Sequence, residues 1–442
     1  MRATEEKIRR RWWSTPGDLS RNGGVPRVVV VGGSLGGLTA ALVLRDIGCA
    51  VDVYERSPVP LVGRGAGIVV HPATVRYLVQ NGTGNLAGST APARWVRYLD
   101  QTGDVAHAES CRYSFTSYYT LYSELLARFD ARRYHVDREV VGFDQDGDGV
   151  TVALADGRTE RCDLLVCADG IHSTGRRLLL PEVEHTYAGY VAWRGAVTER
   201  DLTRETFAAL ESAITYYVAP HSHILAYPIP GVDGSVVPGQ RFTNWVWYRN
   251  VATGPAFDDL MTDARGERYV ASLPAGQAQP RHVSDLRQHA QETLPPPLSE
   301  LVSKTADPFI QVVYDVEVPR MSFGRICLIG DAAFVLRPHA AVGTAKAAED
   351  AWKLAEALMQ SGGDVQLALE QWEPAQLALG RRTLARTRDA GIRAQFENSW
   401  SIGDPLPFGL YEPGDSSVPE EWIADGVAPT SRWRLKSRLL RS

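Results

Sequence analysis

Cysteine is scarce: five in 442 residues, at Cys49, Cys111, Cys162, Cys167 and Cys327. The number is odd, no C-x-x-C occurs, and Cys167 and Cys327 sit inside apolar, strand-like runs. That argues against a disulfide framework or a zinc site and for buried free thiols, so a reducing, cytoplasmic location is expected. Long apolar runs are missing too. No stretch reaches the roughly 18 residues of a bilayer-spanning segment, and residues 1–26 lack the apolar core of a secretory signal. Positive charge is not in excess either: 47 Lys and Arg face 52 Asp and Glu, a net charge of −5. Nucleic acid and anionic membrane both demand concentrated positive charge, so neither is expected as a partner. The basic clusters "KIRRRWW" and "RWRLKSRLLR" are terminal and read as solvated tails. The ten histidines show no H-E-x-x-H or similar spacing, so no metal site is expected. Nor is there a repeat of solenoid length.

What is present is a chain 44% hydrophobic and long enough for two or three domains. After a polar leader, "RVVVVG", a Gly-rich turn, "GGLTAALVLRDIG" and "AVDVYER" form a β-α-β unit. Its strands are continuous apolar runs, as in a parallel sheet covered on both faces. Residues 95–107 alternate around a T-G-D turn and read as a hairpin. A helix at "TLYSELLARF" leads into a meander with D-G turns that ends in one buried strand. From 181 to about 304, Tyr, Trp, Pro and His concentrate in short strand-like pieces. These suggest a separate, largely antiparallel sheet with an aromatic face suited to an aromatic ligand. "RICLIG" (325–330) returns to parallel-strand composition, followed by a helix at "GTAKAAEDAWKLAEALMQ" and a second near 365–395 with Pro374 as a kink. The fold class is therefore α/β: a Rossmann-like, parallel-sheet domain interleaved with an antiparallel-sheet substrate domain and followed by C-terminal helices. Its nucleotide-binding part comes in three pieces (25–90, 115–180, 305–395). A hairpin (91–114) and a sheet (181–304) belong to the substrate domain, and 1–24 and 396–442 are tails.

Three motifs carry the chemistry. In "VVVVGGSLGGLTAA", Gly32 permits the tight turn and Gly37 close helix packing, while the helix N-terminus offers free N–H groups to a pyrophosphate. Ser34 stands where G-x-G-x-x-G has its second glycine, a mild departure whose hydroxyl can itself donate. Glu55 closes the next strand 23 positions after Gly32 (55 − 32), in place to accept from ribose hydroxyls. In "CADGIHSTGRR" a buried strand ends at Asp169-Gly170, which by itself could be a plain turn. In "ICLIGDAAFVLRPHAAVGTAKAAED" a strand delivers Gly330-Asp331, and Gly343 opens a helix whose N-terminus can stabilise developing negative charge. Singly, Asp331 could be an N-cap and Gly343 a turn; the order and spacing of all three argue against that.

Together the motifs resemble those of the single-component, FAD-dependent aromatic hydroxylases with the para-hydroxybenzoate hydroxylase fold. The stretches "VDVYERSP", "FTSYYTLY", "TYAGYVAWRG", "ILAYPIPG", "LMTDARG" and "RPHAAVGTAKAAEDA" carry the likeness further, toward the pyridine-hydroxylating branch, across residues 27–395. The resemblance implies FAD as a tightly bound, non-covalent cofactor and NAD(P)H as a transient reductant, since only one dinucleotide fingerprint exists. It places Gly32, Ser34, Leu35, Gly36, Glu55, Arg56 and Val140 among the cofactor-binding residues, with Glu55 on ribose. It puts Asp169 near FAD and the nicotinamide approach, and Asp331 on the ribityl–phosphate region. It turns the backbone of Val342, Gly343, Thr344 and Ala345 toward the flavin ring. Three positions depart from the family: Ser34, Tyr118 where many relatives carry arginine, and Ala341 where a glycine is common.

The implied reaction is hydroxylation, through a flavin C4a-hydroperoxide, of an electron-rich hydroxylated ring, a hydroxypyridine or pyridone of catabolism or of a natural-product pathway. Its partners are a small aromatic substrate, O2 and NAD(P)H; aromatic sheet edges are compatible with a homo-oligomer and require none. Three residues are candidate catalytic groups. Arg194 lies mid-strand and either binds a ring oxyanion, gates the flavin, or makes a salt bridge in the sheet. Tyr227 either bonds substrate or packs the core. His339 is the first choice of base, against the reading of a partly exposed loop histidine, with His223 and His71 behind it. "WVWYRN" resembles a halogenase W-x-W pair but lacks the Ile-Pro that follows there. The alternatives are an epoxidase, a Baeyer–Villiger-type oxygenase or a flavin oxidase on the same fold, and, less favoured, a non-catalytic scaffold.

Overall fold

The computed structural model describes residues 26–61, 67–81 and 86–416; the terminal basic clusters and the leader lie outside them. β1 (Arg27–Val31) leads through α1 (Leu35–Asp46) to β2 (Ala50–Tyr54), the expected β-α-β unit. β1 pairs in parallel with β2 on one side and with β3 (Leu164–Cys167) on the other. β3 in turn pairs in parallel with Ile326–Leu328, so chain segments 300 residues apart share a six-stranded sheet. Val28–Val31, all of β3 and Ile326–Leu328 are buried, which is why they read as unbroken apolar runs. The predicted meander is a three-stranded sheet (140–145, 150–154, 159–162) that adds Val150, Val152 and Leu154 to the same core.

A ten-stranded sheet forms the second layer. β4 (Thr186–Thr198), β5 (Ala213–Ala219), β6 (Ser222–Ile229), β7 (Phe242–Asn250) and β8 (Phe309–Glu317) are its centre, in the spatial order β8-β4-β7-β6-β5 with antiparallel neighbours. The hairpin of Ala91–Leu99 and Val105–Ser117 continues it beyond β5. Alternation divides the two faces. Trp193, Trp245 and Trp247 pack with Leu286, Leu298 and Leu301 of the helices Pro280–Thr293 and Pro296–Lys304. Tyr190, Leu225, Tyr227, Val246 and Tyr248 gather on the other face. Nothing in the strand-like composition of 181–304 announced those two helices. The first buries only Leu286 and Ala290 in fourteen residues, too thin an apolar stripe to stand out.

α2 (Gly343–Gln360) occupies the predicted span, and α3 (Val365–Ile392) runs through Pro374 without a break. The stretch after it departs from expectation. Residues 399–416 lack helix and strand, as their Pro and Gly content dictates, yet they are no loose tail. Leu406, Phe408 and Leu410 are buried, Arg393 bonds the Ser399 carbonyl at 2.9 Å and Asp404 at 2.7 Å, and Arg386 bonds the Leu410 carbonyl at 3.2 Å. Composition predicts irregular backbone here, not mobility.

One buried ion pair braces the far end of β4. Glu199 accepts from Gly239 N–H at 2.6 Å and from Arg241 Nε at 3.0 Å, both charged side chains being 2% exposed. Removing one partner strands the other charge away from water. Arg241→Ala should therefore lower unfolding free energy by about 3–5 kcal/mol, read from urea midpoints at constant m-value.

Candidate active site

Between the carboxyl ends of the parallel strands and the aromatic face of the large sheet lies a cavity of about 1550 Å³. Ligands of open α/β sheets bind at that strand edge, and the volume exceeds the roughly 300–1,000 Å³ of a single small-ligand pocket. Of the sequence-predicted residues, Ser34, Leu35, Gly36, Arg56, Arg194, Tyr227, Asp331, His339, Val342, Gly343 and Thr344 line it. Gly32, Glu55, Val140, Asp169 and Ala345 do not; they stand behind the wall.

At one end α1 begins. Gly32 has φ +94°, and a Cβ there would lie 2.5 Å from the Ala168 carbonyl oxygen; at Gly37 it would lie 1.8 Å from that of Gly32. Both glycines are demanded by space. Ser34 makes no capping bond of its own, so the first N–H groups of α1 remain open to a ligand. Its hydroxyl instead pairs with the Tyr118 hydroxyl at 2.8 Å. Two of the three departures from the family are thus one interaction.

Glu55 and Asp169 hold loops. Glu55 accepts from Gly33 N–H and Ser57 N–H, both at 2.8 Å, and each oxygen keeps a second lone pair for a ribose hydroxyl. Asp169 accepts from the Ser173 hydroxyl at 2.5 Å and from Thr174 N–H at 2.7 Å. Its carboxylate therefore organises the D-G loop, and it is Gly170, Ile171 and His172 that face the cavity. Asp169 thus stands between two residues of the cavity wall, Ala168 and Gly170. Val140 is buried in the three-stranded sheet. Arg176 reaches from the second motif to the Asp331 and Ala332 carbonyls at 3.1 and 3.0 Å, lashing motif two to motif three.

The Asp331 side chain is exposed toward the cavity and has no hydrogen-bond partner among the described residues. The protein crowded around it pushes its carboxyl up to about 6, against the pull of Arg176. Gly343 opens α2 with no atom within 4 Å of where a Cβ would sit, and Asp350 pins the helix to the Gly330 N–H at 3.0 Å. Ala341, just before, has φ 54° and ψ 33°, a left-handed conformation that costs alanine about 1–2 kcal/mol. Its carbonyl accepts from His71 Nε2 at 2.9 Å.

The other end of the cavity is aromatic. Arg194 is 7% exposed and its Nε has no partner. Among the described residues it makes no ion pair. Its charge lowers the Tyr227 and Tyr248 hydroxyls, which burial pushes up. Tyr227 donates to the Gly67 carbonyl at 3.1 Å and stacks on Phe115 at 4.4 Å, so it serves the wall. His339 is buried, with Nε2 2.7 Å from the Tyr190 hydroxyl; it is not a partly exposed loop residue. Burial, then Arg337, pushes it down to about 3. Such surroundings favour the neutral imidazole, whose Nε2 is engaged with the Tyr190 hydroxyl. Tyr248, between His223 (4.5 Å) and His339 (4.7 Å), faces the cavity unannounced. The alternation of "WVWYRN" already places it opposite the two tryptophans. Trp400 and Phe408, from the irregular C-terminal stretch, complete the wall; no sequence pattern points to them.

Comparison with known proteins gives this geometry a family. The FAD binding domain-like family model matches residues 187–315. Over 394 residues the chain is 40% identical to 2,6-dihydroxypyridine 3-monooxygenase of Paenarthrobacter nicotinovorans, covering 89% of this chain and 98% of that one. The structure of 2,6-dihydroxypyridine-3-hydroxylase from Arthrobacter nicotinovorans superimposes with a TM-score of 0.83 at 38% identity, over 92% of this chain and all of the other. A structure of the R204Q variant of Klebsiella pneumoniae HpxO complexed with FAD gives 0.70 at 25% identity, over 84% of this chain and 91% of that one. The chain belongs to the FAD-dependent aromatic-ring monooxygenases of the para-hydroxybenzoate hydroxylase fold.

Proposed function

We propose that this monooxygenase hydroxylates a pyridine or pyridone ring that already bears a hydroxyl or oxo group, bound as its oxyanion against Arg194. One observation carries the reading: a buried guanidinium that has no counter-ion among the described residues, in a wall of aromatic side chains. A buried charge left unpaired is costly, so the ligand itself is the natural source of the missing anion. The name of the 40%-identical relative supports a dihydroxylated pyridine.

FAD fits the frame. The open N-termini of α1 and α2 both face the cavity, the space before Gly343 is clear, and Asp331 offers an unpartnered carboxylate between them. Ser34, Leu35 and Gly36 would hold the pyrophosphate, Asp331 the ribityl chain, and the backbone of Val342–Thr344 the flavin ring. When bound and reduced by NAD(P)H, the flavin supplies activation of O2 for transfer of one oxygen atom to the ring.

The chain's own residues prepare the substrate. Arg194 favours the deprotonated hydroxyl by its charge, which makes the ring electron-rich without a strong base. Neutral His339, bonded to Tyr190, and the ring of Tyr248 shape the floor. Trp400 and Phe408 cover the pocket and exclude water. The cysteines are all unpaired, which supports a reducing, cytoplasmic setting.

Two measurements test this. In a panel of hydroxypyridines, pyridones and phenols, a hydroxypyridine should accelerate NAD(P)H oxidation and gain 16 mass units. Hydrogen peroxide alone across the panel would remove the pyridine assignment. Arg194→Met should lower kcat/KM by about 10–100-fold, the worth of a charge-assisted hydrogen bond. Because the lost cation favoured the anion, the rise of kcat/KM with pH should move upward by about one unit or more. An unmoved profile would assign Arg194 another task.

A further inference from the structure

The turn that opens α2 is built on the wrong residue for its conformation. Ala341 is left-handed, at φ 54°, where only glycine is at ease. It immediately precedes Val342, Gly343 and Thr344, all three on the cavity wall. Any relaxation of Ala341 toward negative φ would swing the first N–H groups of α2 off their target. Something must hold the turn, and two bonds do. Ala341 N–H donates to the Pro338 carbonyl at 2.9 Å, a bond within the turn itself. The Ala341 carbonyl accepts from His71 Nε2 at 2.9 Å, the one hydrogen bond to Ala341 from outside the turn among the described residues.

His71 is set for that single task. It is 1% exposed and stands just before the helix Pro72–Gln80, which packs against α2. It is the N-cap residue of that helix, its carbonyl accepting from Thr74 and Val75 N–H, but its side chain makes no capping bond. A carbonyl only accepts, so Nε2 carries the proton. Nδ1 then has none, and it is buried without a partner. Burial, aided by Arg386, pushes the group down to about 4, which keeps the ring neutral at ordinary pH. An unsatisfied buried nitrogen is tolerated where the other nitrogen does something that packing alone does not.

We propose that His71 is a positioning residue for the cofactor: it clamps the Ala341 carbonyl, fixes the left-handed turn, and so aims the first N–H groups of α2 at the flavin. This rests on the flavin ring lying at Val342–Thr344 and is independent of which ring is hydroxylated.

The test is a double-mutant cycle read by FAD binding to apoprotein, from quenching of flavin fluorescence, without substrate. His71→Leu keeps bulk and removes the donor. It should weaken FAD by about tenfold, the worth of one hydrogen bond, and shift the visible flavin spectrum. Ala341→Gly alone should leave FAD affinity within about twofold, since glycine adopts the turn unaided. In the His71→Leu background Ala341→Gly should restore affinity and spectrum to near wild type. Equal loss in the single and double variants would mean that His71 merely packs, and would overturn the proposal. So would unchanged FAD binding in His71→Leu. If His71→Leu is insoluble, recovery of soluble holoprotein on adding Ala341→Gly supports the clamp, and continued insolubility overturns it.

Discussion

The structure depends on three strand ends meeting with no room to spare. Gly32 donates to the Tyr54 carbonyl at 2.8 Å, Ala168 to that of Val31 at 2.8 Å, and Ile329 to that of Cys167 at 3.0 Å. The hydrogen-bond ladder therefore runs past the end of the sheet and into the loops that hold the cofactor. At its centre a single hydrogen on Gly32 fills the gap to the Ala168 carbonyl. Everything the cavity presents to a nucleotide, from the N-terminus of α1 to Asp331, takes its position from that contact. Carboxylates then lock it: Glu55 on Gly33, Asp169 on the D-G loop, Asp350 on Gly330.

Much of this was legible because parallel strands and glycine turns leave strong local traces. The β-α-β unit, the three motifs and the span of α2 could be read directly. Long-range roles left weaker traces. A carboxylate beside a glycine loop looks the same whether it meets ligand or backbone, and only coordinates show that Asp169 spends its oxygens on Ser173 and Thr174. Arg194 had two readings of equal weight, and only coordinates show that it makes no ion pair among the described residues. His339 drew attention by its place just before the flavin-facing turn, and only coordinates show that it is buried and bonded to Tyr190. Trp400 and Phe408 were invisible, since irregular backbone has no period to betray which side chains turn inward.

The departures from the family are better understood in pairs than singly. Serine in the phosphate turn and tyrosine at Tyr118 share one hydroxyl–hydroxyl bond, so neither would be equivalent alone. Alanine at Ala341 comes with a carbonyl clamp. In each case a residue unusual for its position is matched by one far away in sequence and adjacent in space. Returning Ser34 or Tyr118 singly to the family residue would break their shared bond, whereas glycine at 341 would keep the carbonyl that His71 holds.

The interleaving of the chain also has a temporal side. α1 and its phosphate turn leave the ribosome early, while Asp331 and Val342–Thr344 follow some 300 residues later, and Trp400 and Phe408 later still. A nascent chain that has reached β7 can offer FAD one end of its site and nothing at the other. The cofactor can be captured fully only when synthesis is almost complete. Until then the exposed edge of β3, waiting for Ile326–Leu328, is an unpaired apolar strand. Trp400 and Phe408, made after that strand has arrived, then close the pocket.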